Sequence, residues 1–324
     1  MYQAMVSAPL GDDVLGDEPT VAELEALAAE TLGKEAAVFV PSGTMGNQIA
    51  VMSWTQPGDA ILIEQDAHIL FYESGGPGAH AGVVTWTLPS ENGAMDPNHL
   101  EDRITSPSLH TPATKLLCIE NTHNRCGGTI IPQEIMRAYR EIADRRGLSV
   151  HLDGARIFNA AVAQGISAKE IAQYADSVNF CLSKGLSCPV GSVLTGPAEF
   201  IQRARQHRKR MGGSMRQAGV LAACGVYALK HLVDRLVDDH TRAKRFANEL
   251  SELPGIHIDM ATVQTNMVMV HTEKAASDWA TKLKENNVWC FAVAPNRLRC
   301  VFHREIDDEK LEQAVCVFRD LSVN

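Results

Sequence analysis

Short apolar runs alternate along the chain with stretches in which apolar residues recur every three or four positions. That alternation predicts a mainly parallel sheet crossed by helices. Seven runs read as strands, over residues 36–40, 60–63, 83–87, 115–119, 148–152, 177–182 and 190–194. The helices between them carry punctuation. Thr20-x-x-Glu23 has the form of a capping box, Val21, Leu24, Leu27 and Ala28 make the stripe to be buried, and Gly33 marks the stop. Further on, Pro132 opens a pattern of Ile135, Met136, Tyr139, Ile142 and Ala143 that Gly147 closes.

From about residue 217 the pattern becomes one long helical stretch over 218–250. A smaller α+β unit follows, strand-like over 266–271 and 298–302 and helical over 274–286 and 308–321. The expected division is a large unit over 1–235 and a small C-terminal unit over 236–324. Residues 105–114, rich in Pro, Ser and Thr, read as a surface loop.

Composition narrows the class. At 324 residues, 45% apolar and 21% charged, the chain has the material for about two domains and the make-up of a globular enzyme, which excludes disorder, collagen and coiled coil. No apolar run approaches the roughly 18 residues needed to cross a bilayer, and the opening Met1-Tyr2-Gln3-Ala4-Met5 lacks the basic-then-apolar order of a signal peptide, so a cytoplasmic location is expected. A net charge of −9 repels phosphate backbones and anionic lipid, and neither nucleic acid nor membrane is an expected partner. The basic stretch Arg203, Arg205, Arg208, Lys209 and Arg210 has no interleaved aromatics and reads as a solvated helix face. The eight cysteines include no Cys-x-x-Cys, and several lie in apolar runs, as expected of free buried thiols. None of the twelve histidines stands at ligand spacing from another, and no metal site is expected.

In open parallel sheets ligands bind beyond the carboxyl ends of the strands, and there this sequence is polar. After the first strand come Pro41-Ser42-Gly43-Thr44 and a helix, an arrangement that suits a phosphate or a plain helix cap. His68 and His123 follow the second and fourth strands, and either could be structural. The fifth delivers Asp153 and Gly154, where a carboxylate would suit a protonated ring nitrogen or cap a helix. The sixth runs into Ser183-Lys184-Gly185; a lysine at the end of a buried strand suits an amine nucleophile, the bland alternative being one that snorkels to solvent. Anion cradle, strand-tip Asp and strand-tip Lys together describe a site for pyridoxal 5'-phosphate.

The same residues resemble the low-specificity L-threonine aldolases, a family of fold-type I pyridoxal-phosphate enzymes. The resemblance runs over essentially the whole chain and is carried by Gly11-Asp12-Asp13-Val14-Leu15-Gly16, Pro41-Ser42-Gly43-Thr44-Met45-Gly46-Asn47, Glu120-Asn121-Thr122-His123-Asn124, His151-Leu152-Asp153-Gly154-Ala155-Arg156, Ser183-Lys184-Gly185-Leu186 and Gly212-Gly213-Ser214-Met215-Arg216-Gln217. It implies Lys184 as the Schiff-base lysine, Asp153 on the pyridine nitrogen, Ser42, Gly43 and Thr44 at the phosphate, and His68 stacked on the ring. It also implies His123 near the substrate β-hydroxyl, Arg156 and Arg299 on the substrate carboxylate, and Arg216 reaching a neighbour's cofactor phosphate in a tetramer of paired dimers. Three features depart from the family pattern. The family usually opens with a segment holding Ser-Asp-Thr, whose serine helps bind the carboxylate, and the match here begins beyond it. Phe302 stands where threonine is usual, and Leu15 where tyrosine is frequent.

The resulting expectation is an α/β, fold-type I enzyme that cleaves L-threonine or L-allo-threonine to glycine and acetaldehyde. The alternatives are another β-eliminating lyase of the same fold and a non-catalytic phosphate-binding regulatory module.

Overall fold

A computed structural model describes residues 1–323. Its larger sheet has seven strands: β1 (Ala36–Val40), β2 (Ala60–Glu64), β3 (Val84–Leu88) and, after a small hairpin β4 (Ser90–Glu91) and β5 (Ala94–Met95), β6 (Thr114–Glu120), β7 (Ser149–Asp153), β8 (Ser177–Cys181) and β9 (Ser192–Gly196). Their spatial order is β1-β9-β8-β7-β6-β2-β3. All neighbours are parallel except β9, which runs antiparallel to both β1 and β8. Every expected strand is present, because strands covered on both faces read as unbroken apolar runs; β2, β8 and β9 are buried along their whole length.

The first six helices are α1 (Tyr2–Val6), α2 (Pro19–Leu32), α3 (Gly43–Trp54), α4 (His68–Phe71), α5 (Pro97–Arg103) and α6 (Gln133–Arg146). After them come α7 (Ile157–Gln164), α8 (Ala168–Ala172), α9 (Ala198–Arg210), α10 (Gly219–His231) and α11 (Leu236–Ser251). Gly33 and Gly147 end α2 and α6 in the left-handed conformation, as glycine stops should. The capping box expected at Thr20 is absent: Pro19 takes the first helical position, which draws Thr20 inside α2, and its hydroxyl donates to the Pro9 carbonyl at 2.7 Å. The box that does form is Ser167 with Glu170, at α8.

The single long helix expected over 218–250 is two. No Gly or Pro breaks it; α10 packs on α2, whereas Ala243, Phe246, Ala247 and Leu250 of α11 join a second hydrophobic cluster, and the chain turns between them to serve both. That second cluster lies on a four-stranded antiparallel sheet, order β10-β11-β13-β12, formed by β10 (Ile256–His257), β11 (Met267–Thr272), β12 (Phe291–Ala294) and β13 (Arg297–Val301). Helices α12 (Ala276–Glu285) and α13 (Asp308–Ser322) complete it, with Trp279 stacked on Phe318. β10 and β12 escaped the sequence reading, being short edge strands with exposed residues.

The basic face of α9 is also less solvated than expected. Arg208 is buried, donates to the Phe39 carbonyl at 2.7 Å and pairs with Asp13, while Arg205 pairs with Glu25.

Candidate active site

Strand order brings the polar strand ends together at one edge of the sheet, and Asn47 in α3 ties them to one another. Its Nδ2 donates to Asp153 Oδ2 at 2.8 Å and to Glu73 Oε1 at 2.9 Å, and its Oδ1 accepts from Asn179 Nδ2 at 2.9 Å. His151 Nε2 lies 3.2 Å from the same Oδ1, and its Nδ1 lies 2.9 Å from Ser177 Oγ. Burial pushes His151 down to about 4, so it stands neutral in this network. Asp153 is 2% exposed, its other oxygen accepting from the Ala155 amide. It is not a helix cap, since the N-cap position of α7 is Arg156.

His68 opens α4 with 24% of its side chain exposed. Its backbone N–H donates to Glu120 Oε2 at 2.6 Å, and Glu73 holds its Nδ1 at 3.0 Å. Burial alone would lower its pKa, but the Glu73 hydrogen bond and the charges of Asp153, Glu73 and Glu120 prevail and raise it. His68, Glu73 and Asp153 bring one ligand-type atom each within 4.8 Å of one another, a strongly negative corner that favours a protonated nitrogen. Arg125, unremarked in the sequence, frames the other side. It pairs with Asp66 at 3.0 Å, donates to Tyr72 Oη at 3.2 Å and lies 3.8 Å over the Phe71 ring, fixing Tyr72 5.5 Å from the His68 ring. A half-buried arginine two residues after His123 carried no sequence signal.

His123 is enclosed. Its side chain is 0% exposed, with Nε2 2.9 Å from Glu64 Oε2 and 3.9 Å from Glu120 Oε2. Burial would lower its pKa, but Glu120, Cys126 and Glu64 push it up to about 11. Neither protonation state leaves a lone pair for a substrate proton. The charged ring carries a hydrogen on each nitrogen; in the neutral ring Nε2 donates to Glu64 while Nδ1 accepts from the Cys126 amide at 3.3 Å. His123 is a buried cation or donor, enclosed by Glu64 and the Cys126 amide.

Lys184 and Arg156 line a cleft of about 740 Å³ together with Asn266 and His303. Burial pushes the Arg156 guanidinium down, and the nearby Arg299 adds to the effect. Arg299 donates to Asn124 Oδ1 at 3.0 Å, and the Nε atoms of both arginines are buried without a hydrogen-bond partner. Two cations that feel each other's charge, each with an unpaired donor, suit an anion.

The residues present also fit an aromatic phosphate cofactor. The Ser42 hydroxyl caps α3, accepting from the Met45 amide at 3.2 Å, and Ser42 and Thr44 are both exposed at that twelve-residue helix's positive end. The helix can start there because Gly43 and Gly46 lack side chains: a Cβ on Gly43 would come within 2.8 Å of Cys181 Sγ, and one on Gly46 within 2.2 Å of Asn179 Oδ1. Three residues past Cys181 stands Lys184, half-buried. Arg216 lies apart, paired with Asp12 at 2.9 Å and with 60% of its side chain exposed.

Comparison with known proteins agrees in sequence and in fold. Residues 1–273 match the model of the beta-eliminating lyase family. Low-specificity L-threonine aldolase 1 of Arabidopsis thaliana is 41% identical over 327 residues, 98% of this chain and 91% of that protein. The low specificity L-threonine aldolase of Escherichia coli K12 is 41% identical over 321 residues, 98% of this chain and 94% of that protein. Among solved structures, Leishmania major threonine aldolase superimposes with a TM-score of 0.84 at 20% identity, covering 99% of this chain and 96% of that one. A Sphingomonas wittichii serine palmitoyltransferase gives 0.76 at 20% identity, covering 98% and 81%.

Proposed function

We propose, from the premise that this chain belongs to the beta-eliminating lyase family, that it is a low-specificity L-threonine aldolase cleaving L-threonine and L-allo-threonine to glycine and acetaldehyde. The family depends on pyridoxal phosphate, which when bound supplies an electron sink for the pair left by Cα–Cβ cleavage. Ser42, Gly43 and Thr44 would hold its phosphate, Lys184 its aldehyde carbon and Asp153 its ring nitrogen, with His68 against its ring.

Each protein group has a defined task. Asp153, buried and fixed by Asn47, holds a proton on the ring nitrogen. Arg156 and Arg299 take the substrate carboxylate, which relieves their mutual repulsion and satisfies their unpaired Nε donors. With His123 enclosed, His68 is the imidazole left to take the β-hydroxyl proton, directly or through one water. Its raised pKa means that the basic form grows as pH rises through that value. Arg216, exposed beside Asp12, would reach the cofactor phosphate of a neighbouring subunit in a homotetramer.

The observation that carries this reading is Arg156, which lines one cleft with Lys184, feels the charge of Arg299 and shares with it an unpaired buried Nε donor. Product analysis tests it. Incubation with L-threonine should release glycine and acetaldehyde in equal amounts; release of ammonia and 2-oxobutyrate instead would assign the chain to elimination chemistry.

A further inference from the structure

In the small sheet the register of β12 against β13 pairs Phe291 with Arg299 and Ala292 with Leu298. Carried back by one residue, it sets Cys290 opposite Cys300. Residues directly opposed on antiparallel strands hold their Cα atoms about 4.5–5.5 Å apart, inside the range a disulfide spans. The side chains agree with that register. Cys300 is buried beside Leu298 in the second hydrophobic cluster, and Cys290 packs against the same cluster while remaining half-exposed. On the opposite face Arg299 lies 5.7 Å over the Phe291 ring. The two thiols share a hydrogen bond that pushes Cys290 down and Cys300 up, which makes the accessible member the more reactive one.

We propose that Cys290 and Cys300 form a reversible disulfide when the enzyme meets a low-molecular-weight disulfide such as oxidised glutathione, and that closing it restrains the edge strand β12 beside Arg299. The Cys290 thiolate attacks one sulfur of oxidised glutathione, whose S–S bond breaks and releases one glutathione thiolate. The Cys300 thiol then loses its proton to solvent and attacks the Cys290 sulfur, expelling the second glutathione. Two protein thiols are oxidised, and one glutathione disulfide is reduced to two thiols. β12 is an edge strand, paired on one side only, and the bond would tie it covalently to β13 next to Arg299. Cys188 and Cys224 also sense each other, but burial pushes both up, Cys188 to about 12, so that pair should stay reduced.

Trypsin cuts after Arg297 and Arg299 and so places the two cysteines on separate peptides. After treatment of the holoenzyme with oxidised glutathione and alkylation of free thiols, non-reducing peptide mapping should find those peptides joined. The KM for L-threonine should rise about threefold or more with kcat little changed, dithiothreitol should reverse it, and Cys290→Ser should abolish the response without altering the untreated enzyme. The kinetic arm rests on the assignment of Arg299 to the substrate carboxylate; the mapping arm reads the bond itself and does not. Cys290 and Cys300 both found alkylated, with glutathione retained only on exposed Cys316, would overturn the proposal, and joined peptides with an unchanged KM would overturn its link to Arg299.

Discussion

Asn47 donates to Asp153 at 2.8 Å, locking the start of α3 to the tip of β7 through two side chains distant in sequence. The same amide serves Glu73, Asn179 and His151, all buried, so its loss strands several polar groups at once. Asn47→Ala should cost about 2–4 kcal/mol of stability and weaken cofactor retention, read by urea denaturation and by cofactor absorbance after dialysis. A variant as stable as the parent would show that Asp153 needs no such anchor.

Glu73 acts on His68 and not on substrate. Glu73→Gln keeps a hydrogen-bonding side chain at 3.0 Å but removes the charge that helps raise His68. The acidic limb of the pH–rate profile should therefore move down by about one pH unit. An unmoved limb would mean that His68 does not control the rate.

His123→Phe should destabilise the fold by about 3–5 kcal/mol, because it leaves Glu64 buried without its partner. Cleavage and glycine α-proton exchange should fall in the same proportion, as loss of folded enzyme requires. Selective loss of cleavage would restore His123 as the base.

The two buried histidines also bound stability in pH. His123 is raised from about 6.5 to about 11 in the fold, so its contribution is whole below about 6.5 and is lost as pH rises through about 11. His151 is lowered from about 6.5 to about 4, so its contribution is present above about 6.5 and lost as pH falls through about 4. Urea midpoints should decline on both sides of neutrality, and His123→Phe should flatten the alkaline side only.

Arg299→Lys keeps the charge but loses the planar fork. The KM for L-threonine should rise roughly tenfold or more, with a smaller change in kcat. Equal loss of kcat and kcat/KM would place Arg299 in the transition state instead of in uniform substrate binding.

What could be read from the sequence was what is local. Most of the seven strands were legible because they are covered on both faces, the partly exposed edge strand β3 excepted, and Gly33 and Gly147 because a left-handed stop is a single-residue property. The split between α10 and α11 has no breaker residue; it follows from which hydrophobic cluster each helix serves. At the site, Asp153, Lys184 and the Ser42 cap could be read as strand-end chemistry, whereas Arg156 and Arg299 entered only through the family resemblance. The enclosure of His123 was not legible because it comes from Glu64, far away in sequence, and a histidine at a strand end looks the same whether open or enclosed. Asn47 and Arg125 were missed as organisers for the same reason: their partners lie on other elements.

Lys184, just past the end of β8, is the residue proposed to carry the cofactor, and one chemical label tests that assignment. The holoenzyme is reduced with borohydride, digested and mapped by mass spectrometry. The reduced pyridoxyl group should lie on Lys184, on the tryptic peptide that begins after Lys169, and Lys184→Ala should show neither the label nor the visible absorbance. A label found on another lysine, or full turnover by Lys184→Ala, would contradict the account.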